Sequence, residues 1–574
     1  MAAFLHWFDE SPERYWWFVC LVFSGVSFVA LRPLLRKSCI NNSAHSDWYW
    51  GWAILGLLLV GRWPILFVPF ELNPDESQLI AGAATLRHDP IFWRSVDGGT
   101  AGPLDFYALL PAGWLTGHDS FLSARFTALV LVALTLLFIH QSVALGVGRE
   151  AARLGGLSAV FFEALTLHTE FLHYSTELVS VCLLAAALYI GTNQLLTGTG
   201  DSIGRFFLGL LLGAVPFAKL QAAPLAVLLG LAFMMAQKRL QTQAPSRLTQ
   251  QWSALIAGAA APGMFFGGVM WLTGEWQNAV IPYLSNNLNY IGTNPMTVME
   301  SAAAIVRTTA GRGSLIQSWL LSGTGLLLLL PLIRRSWPRR TRWITLFCAV
   351  FLIVAFICIF IPRRPFPHYL QLLVIPWTLL LCLATGQLLE AWNDSRNPAV
   401  KILLASAAVV SAATVFYDRT GIVHPVIGTL SATRVQGRTP VAGIVLRYAR
   451  EADALAIWGW MPQFFVETRL RQATRSATTT NEIVPGPYRE FFRQRYLTDL
   501  RRSQPSVFID AIRTQNGRLR DQPHAAYDEN FSALAAFVQT RYRQVAEVEG
   551  ARIYVRKDRF DSQEKSIATP SSPY

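Results

Sequence analysis

The residues best suited to chemistry begin at Asn73-Pro74-Asp75-Glu76-Ser77, directly after an apolar stretch that ends near Phe70. A charged side chain costs roughly 2.5–3.5 kcal/mol at a bilayer centre, so in an apolar chain carboxylates belong at helix ends or in polar cavities. Asp75 could take the proton from an acceptor hydroxyl and make it a nucleophile, an effect of about 10²–10⁴ in rate. Asp75 and Glu76 behind Pro74 are equally good first-turn helix chemistry, where carboxylates complement the helix dipole. The sequence leaves both roles open. The stretch then runs through Asp97-Gly98-Gly99-Thr100-Ala101-Gly102-Pro103-Leu104-Asp105-Phe106-Tyr107. Glycine and proline of this density fix turns and let backbone approach a ligand, which makes Asp97, Asp105 and Tyr107 candidate pocket residues. An ordinary surface loop would read the same way.

Cations form a second set. Lys219 stands alone between apolar runs in Phe217-Ala218-Lys219-Leu220-Gln221-Ala222-Ala223-Pro224. It is either a snorkelling lysine or a phosphate ligand. Arg363 and Arg364, followed by His368 in Pro365-Phe366-Pro367-His368-Tyr369, need a negative partner at a membrane edge. Lipid headgroups or a bound lipid phosphate would serve. A third set, Glu170, His173, Tyr174 and Glu177, lies between two apolar runs and is expected to line the same cavity. Glu163, inside an apolar run, is expected to pair with an arginine. None of these sets has metal-ligand spacing.

The elements that must hold these residues are membrane helices. The chain has 574 residues, 52% hydrophobic and 15% charged, with a mean hydropathy of +0.33. Its recurrent apolar runs are long enough for a hydrocarbon core of roughly 30 Å. Of six cysteines, five lie in apolar runs and Cys39 in a basic loop, so no disulfide framework is expected. The net charge of +13 falls largely in short loops between spans, the positive-inside pattern rather than a nucleic-acid footprint. The first span, about Tyr15 to Leu31, precedes Arg32, Arg36 and Lys37, which puts the N-terminus outside. The second, about Trp48 to Phe70, delivers Asp75 to the outer side, with Arg62 and Pro64 marking either a kink or an earlier membrane edge. Later spans fall near 121–145, 151–168, 177–195, 205–218, 222–237, 252–272, 315–333, 343–361, 370–390 and 400–416, about twelve in all. Arginines between 334 and 342 anchor the inner side.

Outside lie residues 71–120, about 169–176, the turn at Lys219, residues 273–314, residues 362–369 and everything after about 417. Within 273–314, Trp276, Tyr283 and Tyr290 suggest an interfacial segment with a short helix on the membrane. The chain therefore divides into a membrane domain, 1–416, an outer α/β domain, 417–560, and a disordered tail, 561–574. In the α/β domain, strands are expected at Ala454–Trp460 and Ser506–Ala511, with a hairpin from Gln544 to Val555 turning at Glu549-Gly550.

An acid to accept a proton and cations for a phosphate, all facing outward, fit sugar transfer from a lipid-linked donor. Preplaced Lys or Arg at the charge that develops on a departing lipid phosphate contributes several kcal/mol, on the order of the 2.7–4 of a single oxyanion donor. A monophosphate needs less neutralisation than a pyrophosphate, so no cofactor is required, and a divalent metal is possible but not indicated. The order of motifs resembles bacterial GT-C glycosyltransferases. These are an apolar span with Pro-Asp-Glu, a long outer segment, Lys219-Leu220-Gln221-Ala222-Ala223-Pro224, Pro367-His368-Tyr369-Leu370 and Ile457-Trp458-Gly459-Trp460-Met461-Pro462. The likeness is greatest to the protein O-mannosyltransferase and aminoarabinose-transferase-like group, glycosyltransferase families 39 and 83. It implies an inverting transferase in the bacterial inner membrane, with its active site and C-terminal domain on the periplasmic side. Its substrates would be a polyprenyl-phosphate sugar and a glycan, lipid or protein acceptor. It also implies Asp75 as base, Glu76 beside it, and Lys219, Arg363, Arg364 and His368 on the donor phosphate. Gly102-Pro103-Leu104 stands where the aminoarabinose branch has Lys-Pro-Pro, so acceptor identity does not carry over.

Two other classes compete. A transporter or flippase of a lipid-linked glycan would place charges at mid-membrane in two related halves, and no halves are visible. A receptor would leave the acidic stretch and the outward cations without a role. An O-antigen ligase or polymerase-like enzyme is the nearest enzymatic alternative.

Overall fold

The computed structural model describes residues 11–35, 45–198, 201–240, 245–292, 296–310, 315–328, 339–394, 438–514, 517 and 519–561. The chain forms two compact units. One joins Met1–Val68, Arg125–Phe266 and Tyr290–Thr433; the other joins Pro69–Ala124, Gly267–Asn289 and Arg434–Tyr574.

The first unit is helical. Its helices include Pro12–Leu35, His45–Leu66, Phe121–Gly146, Arg149–Leu165, Glu177–Thr197, Ser202–Ala214, Ala223–Leu240, Pro245–Thr273, Arg339–Phe360 and Val374–Asp394. Seven stretches among the described residues are long and apolar enough to cross a membrane. Pro64 does not end its helix, which runs on to Leu66. A proline removes the N–H that would bond four residues back. Here the Tyr15 hydroxyl donates to the Val60 carbonyl at 2.5 Å instead. Arg62 is buried, donating to the Glu163 carbonyl at 2.7 Å and to Glu163 Oε2 at 2.6 Å. Small residues let helices approach: a Cβ on Gly209 would stand 2.0 Å from the Leu255 carbonyl oxygen, and one on Gly258 2.0 Å from that of Phe206.

Where about twelve spans were expected, several are shorter than a crossing. Ser202–Ala214 has 13 residues because Pro216 sends the chain into a 3₁₀ turn, and Arg149–Leu165 has 17. The expected span at 400–416, the tail beyond residue 561 and Cys39 lie outside the described residues.

The second unit is built on a five-stranded sheet of β1 (Ala454–Trp458), β2 (Arg471–Gln472), β3 (Val507–Asp510), β4 (Tyr542–Val548) and β5 (Ala551–Arg556). Their order is β2-β1-β3-β5-β4. β1 runs parallel to both β2 and β3, whereas β5 is antiparallel to β3 and β4. Strands β1 and β3 are buried along their whole length, as expected of parallel strands covered on both faces. The hairpin turns at Glu549 (φ 51°) and Gly550 (φ 80°), two left-handed residues of the kind a tight hairpin needs.

Residues 71–120, read from the sequence as one long outer segment, hold three helices. They form helices Pro74–Leu86, Pro103–Tyr107 and Leu110–Thr116 and group with the C-terminal residues. The reason is burial. Ala81 belongs to the same apolar cluster as Ile457, Phe464 and Ile509, and the Gln472 N–H donates to Thr85 Oγ1 at 3.0 Å. A division at residue 416 therefore separates parts that fold together. Residues 276–292 form two short helices, Trp276–Ala279 and Asn286–Gly292, around a π-helical turn at Val280–Ser285.

Candidate active site

In the second unit, the helix that carries Asp75 starts because Asn73 caps it. Asn73 Oδ1 accepts the Asp75 N–H at 2.9 Å, its backbone oxygen accepts the Glu76 N–H at 3.0 Å, and Pro74 fills the first helical position. Glu76 is fully buried, and its Oε2 lies 3.5 Å from the Leu72 N–H. Capping thus falls to Asn73, with Glu76 turned back to the chain before the helix. The Asp75 carboxylate, half-buried, makes no hydrogen bond or ion pair among the described residues.

The other acidic candidates of this stretch are held within the unit. Asp97 Oδ1 accepts the Gly99 N–H at 2.9 Å, and Oδ2 pairs with Arg495. Asp105 is fully buried, and the Tyr107 hydroxyl donates to the Pro90 carbonyl at 2.6 Å. Arg495 belongs to a buried group the sequence reading did not single out. Arg475 Nη1 lies 3.3 Å from Asp499 Oδ1, and Nη2 lies 3.6 Å from Glu275 Oε2. The Asp97 N–H donates to the Arg475 carbonyl at 2.8 Å. Glu482 lies buried beside them with one carboxylate oxygen unbonded. Burial pushes its carboxyl up to about 7 against the opposing pull of Arg495, and the negative charges of Asp97 and Asp499 add to the rise. Nothing in the spacing of Arg475, Glu482, Arg495 and Asp499 announces this group, because the sheet and its flanking helices assemble it.

In the first unit the cations and acids expected near one cavity come together. Pro216 and Pro224 interrupt the apolar run, so Lys219 sits extended (φ −138°, ψ 112°) between two 3₁₀ turns, Val215–Phe217 and Leu220–Ala222. Its Nζ is 2.6 Å from Thr176 Oγ1 and 3.1 Å from Glu177 Oε1, and it lies over the Tyr369 ring at 5.5 Å. Lys219 is buried and does not snorkel. Glu177 opens its helix, and Thr176 before it offers no side-chain cap because its hydroxyl serves Lys219 and Glu177. Neither Thr176 nor Tyr369 was foreseen, though both adjoin residues that were.

His368 lies on the 3₁₀ turn Pro367–Leu373, its Nδ1 2.5 Å from Glu170 Oε2. The His173 ring stands edge-on to it, centroids 6.0 Å apart, and His173 Nδ1 is 2.8 Å from the Thr169 carbonyl oxygen. Tyr174 is fully buried. Arg364 stacks over the Tyr290 ring at 4.0 Å, and Arg363, at φ 54°, donates to the Ile291 carbonyl at 3.5 Å. The first unit therefore holds a contiguous Lys219–Tyr369–His368–His173 cluster, with a carboxylate beside each of its two strongest cation candidates.

No family model matches the sequence, and no curated protein sequence matches it. Solved structures do. ArnT from Cupriavidus metallidurans bound to undecaprenyl phosphate is similar with a TM-score of 0.55 at 13% identity, over 88% of this chain and 98% of that one. Its apo state is similar with a TM-score of 0.53 at 14% identity, over 92% and 100%. ArnT is a GT-C aminoarabinose transferase. At this identity the likeness is one of fold: this chain, a mostly helical membrane protein with a C-terminal sheet, has a fold like that of ArnT.

Proposed function

We propose that the protein transfers a sugar from a polyprenyl-phosphate donor to an acceptor hydroxyl on the outer face of the membrane, with inversion and without a required cofactor. Asp75 is the base. The observation that carries this reading is the Asp75 carboxylate itself: Asn73 caps the helix, Glu76 turns back to Leu72, and Asp75 is left unbonded among the described residues and half-buried at a helix start. A carboxylate with no internal partner is free to accept a proton from a substrate hydroxyl. The residues assigned to the donor phosphate in this reading are Lys219 and His368, which cluster, and Arg363 and Arg364, which precede the same 3₁₀ turn. The bound undecaprenyl phosphate of ArnT is a ligand of this chemical class on the same fold.

In the transfer, the acceptor oxygen forms the new bond to the anomeric carbon as its proton passes to Asp75. The bond from that carbon to the phosphate oxygen breaks, and its electron pair leaves on the lipid phosphate, where Lys219 meets the added charge. Asp75→Asn keeps the size of the side chain and removes the base. Sugar transfer should fall by at least about 10²-fold with thermal unfolding unchanged. Wild-type rates in the purified Asn variant would refute the assignment. Mass spectrometry of lipid extracted with the protein from its native membrane would identify the sugar of the donor.

A further inference from the structure

Four carboxamides gather in the second unit, beginning one turn from Asp75, and the transfer step uses none of them. Gln78 follows Asp75 by three residues on the Pro74–Leu86 helix, a spacing that puts both side chains on one face. Its Nε2 donates to the Gly98 carbonyl at 3.4 Å. Asn287 Nδ2 donates to the next carbonyl, that of Gly99, at 3.4 Å, and to that of Tyr283 at 2.6 Å. Asn286 Nδ2 donates to Asn481 Oδ1 at 3.3 Å. A carbonyl only accepts, so the nitrogens of Gln78 and Asn287 face the backbone and their oxygens are left over. Gln78 Oε1, Asn286 Oδ1, Asn287 Oδ1 and Asn481 Nδ2 make no hydrogen bond among the described residues, and all four side chains are half-buried.

The loop between Gln78 and Asn287 is fixed from within the unit. Asp97 Oδ1 accepts the Gly99 N–H at 2.9 Å, and Oδ2 pairs with Arg495. Tyr283 packs its ring on buried Trp93, centroids 5.9 Å apart. Gly99 has φ 61°, and a Cβ built on it would meet nothing within 4 Å, so open space lies over the loop. Carboxamides held in this way lose little freedom on binding. They offer acceptor oxygens and a donor nitrogen, the complement of hydroxyl groups, which donate and accept in turn. Charge narrows the ligand further. Asp97 is matched by Arg495, whereas the Asp75 carboxylate has no partner among the described residues. An anionic ligand would meet that carboxylate with no cation to offset it, and a cationic one would pair with Asp75 and neutralise the base.

We propose that Gln78, Asn286, Asn287 and Asn481 bind the acceptor, and that the acceptor is a neutral glycan. Its hydroxyls span these carboxamides while one of them gives its proton to Asp75. This rests on reading Asp75 as the base and goes beyond it by naming the acceptor class and the side chains that select it.

The test is saturation-transfer NMR on the purified full chain in lipid nanodiscs, free of sugar-headed detergent. The probes are the methyl glycosides of glucose, galactose, mannose and N-acetylglucosamine, with methyl glucuronide as the anionic counterpart. Wild type should bind at least one neutral glycoside, and bind the glucuronide about tenfold more weakly or less. Gln78→Met and Asn287→Leu keep size and helix propensity and remove one carboxamide each. Each should weaken glycoside binding about 3–10-fold, the worth of one neutral hydrogen bond, and the double variant more. Three results would overturn the acceptor assignment: no neutral glycoside bound by wild type, binding unchanged in the double variant, or glucuronide bound as well as the best neutral glycoside. None of them touches the base, which the transfer rate of Asp75→Asn decides separately. Wild-type transfer in that variant, with glycoside binding lost in the double variant, would sink the base and leave a glycan site.

Discussion

Replacing Glu482 with glutamine should stabilise the α/β unit at alkaline pH and barely affect it at acid pH. Glu482 is 2% exposed, and its carboxyl is pushed from an ordinary 4.5 up to about 7 by burial, with Asp97 and Asp499 adding to the effect. Between those two values the folded protein holds a proton that the unfolded chain has released. Stability therefore falls as pH rises from 4.5 to 7, the reverse of a carboxylate whose pairing lowers its pKa. Above pH 7 the ionised side chain costs about 3 kcal/mol, and at pH 5 less than about 1 kcal/mol. Glutamine carries the shape of the protonated form and does not titrate. The gap between variant and wild type should widen by about 2–3 kcal/mol from pH 5 to pH 8. Hydrogen exchange read by mass spectrometry on β1 and β3 amides measures this in the intact protein. Taking the ratio of variant to wild type at each pH cancels the intrinsic rate. Protection in the variant should exceed wild type by roughly 10²-fold at pH 8 and only a few-fold at pH 5. An equal ratio at both pH values would refute the reasoning.

Arg495→Met should destabilise the same unit by about 3–5 kcal/mol, because it strands the buried Asp97 carboxylate and removes the cation facing Glu482. Adding Asp97→Asn should recover part of that loss; additive losses in thermal unfolding would show that the two residues do not act as a pair. Gly258→Ala should cost about 1–3 kcal/mol or more, since its Cβ would stand 2.0 Å from the Phe206 carbonyl oxygen and backbone cannot yield as a side chain does. Unchanged thermal stability of the purified protein would argue against that close helix crossing.

Much of the architecture follows from local physics that a sequence displays directly. Apolar run length specifies membrane helices, Asn73-Pro74 marks a helix start, and Glu549-Gly550 marks a hairpin turn. The same local signals placed Asp75, Lys219, Glu170, His173 and His368 among the residues worth examining. Pairing across long sequence separations is another matter. That Glu76 turns back to Leu72 while Asp75 stays unbonded depends on which face of the Pro74–Leu86 helix is packed against the sheet. That residues 71–120 belong with the C-terminal strands depends on apolar contacts across more than 350 residues, as in the bond from Gln472 to Thr85. Arg495 meets Asp97, Lys219 meets Glu177 and Tyr15 meets the carbonyl freed by Pro64 for the same reason. Sequence patterning determined which segments are helices and strands and where carboxylates and cations stand along them. Only tertiary packing decided which of those charges are spent on each other and which remain for a substrate, because a buried charge takes its partner from whatever segment the core brings beside it.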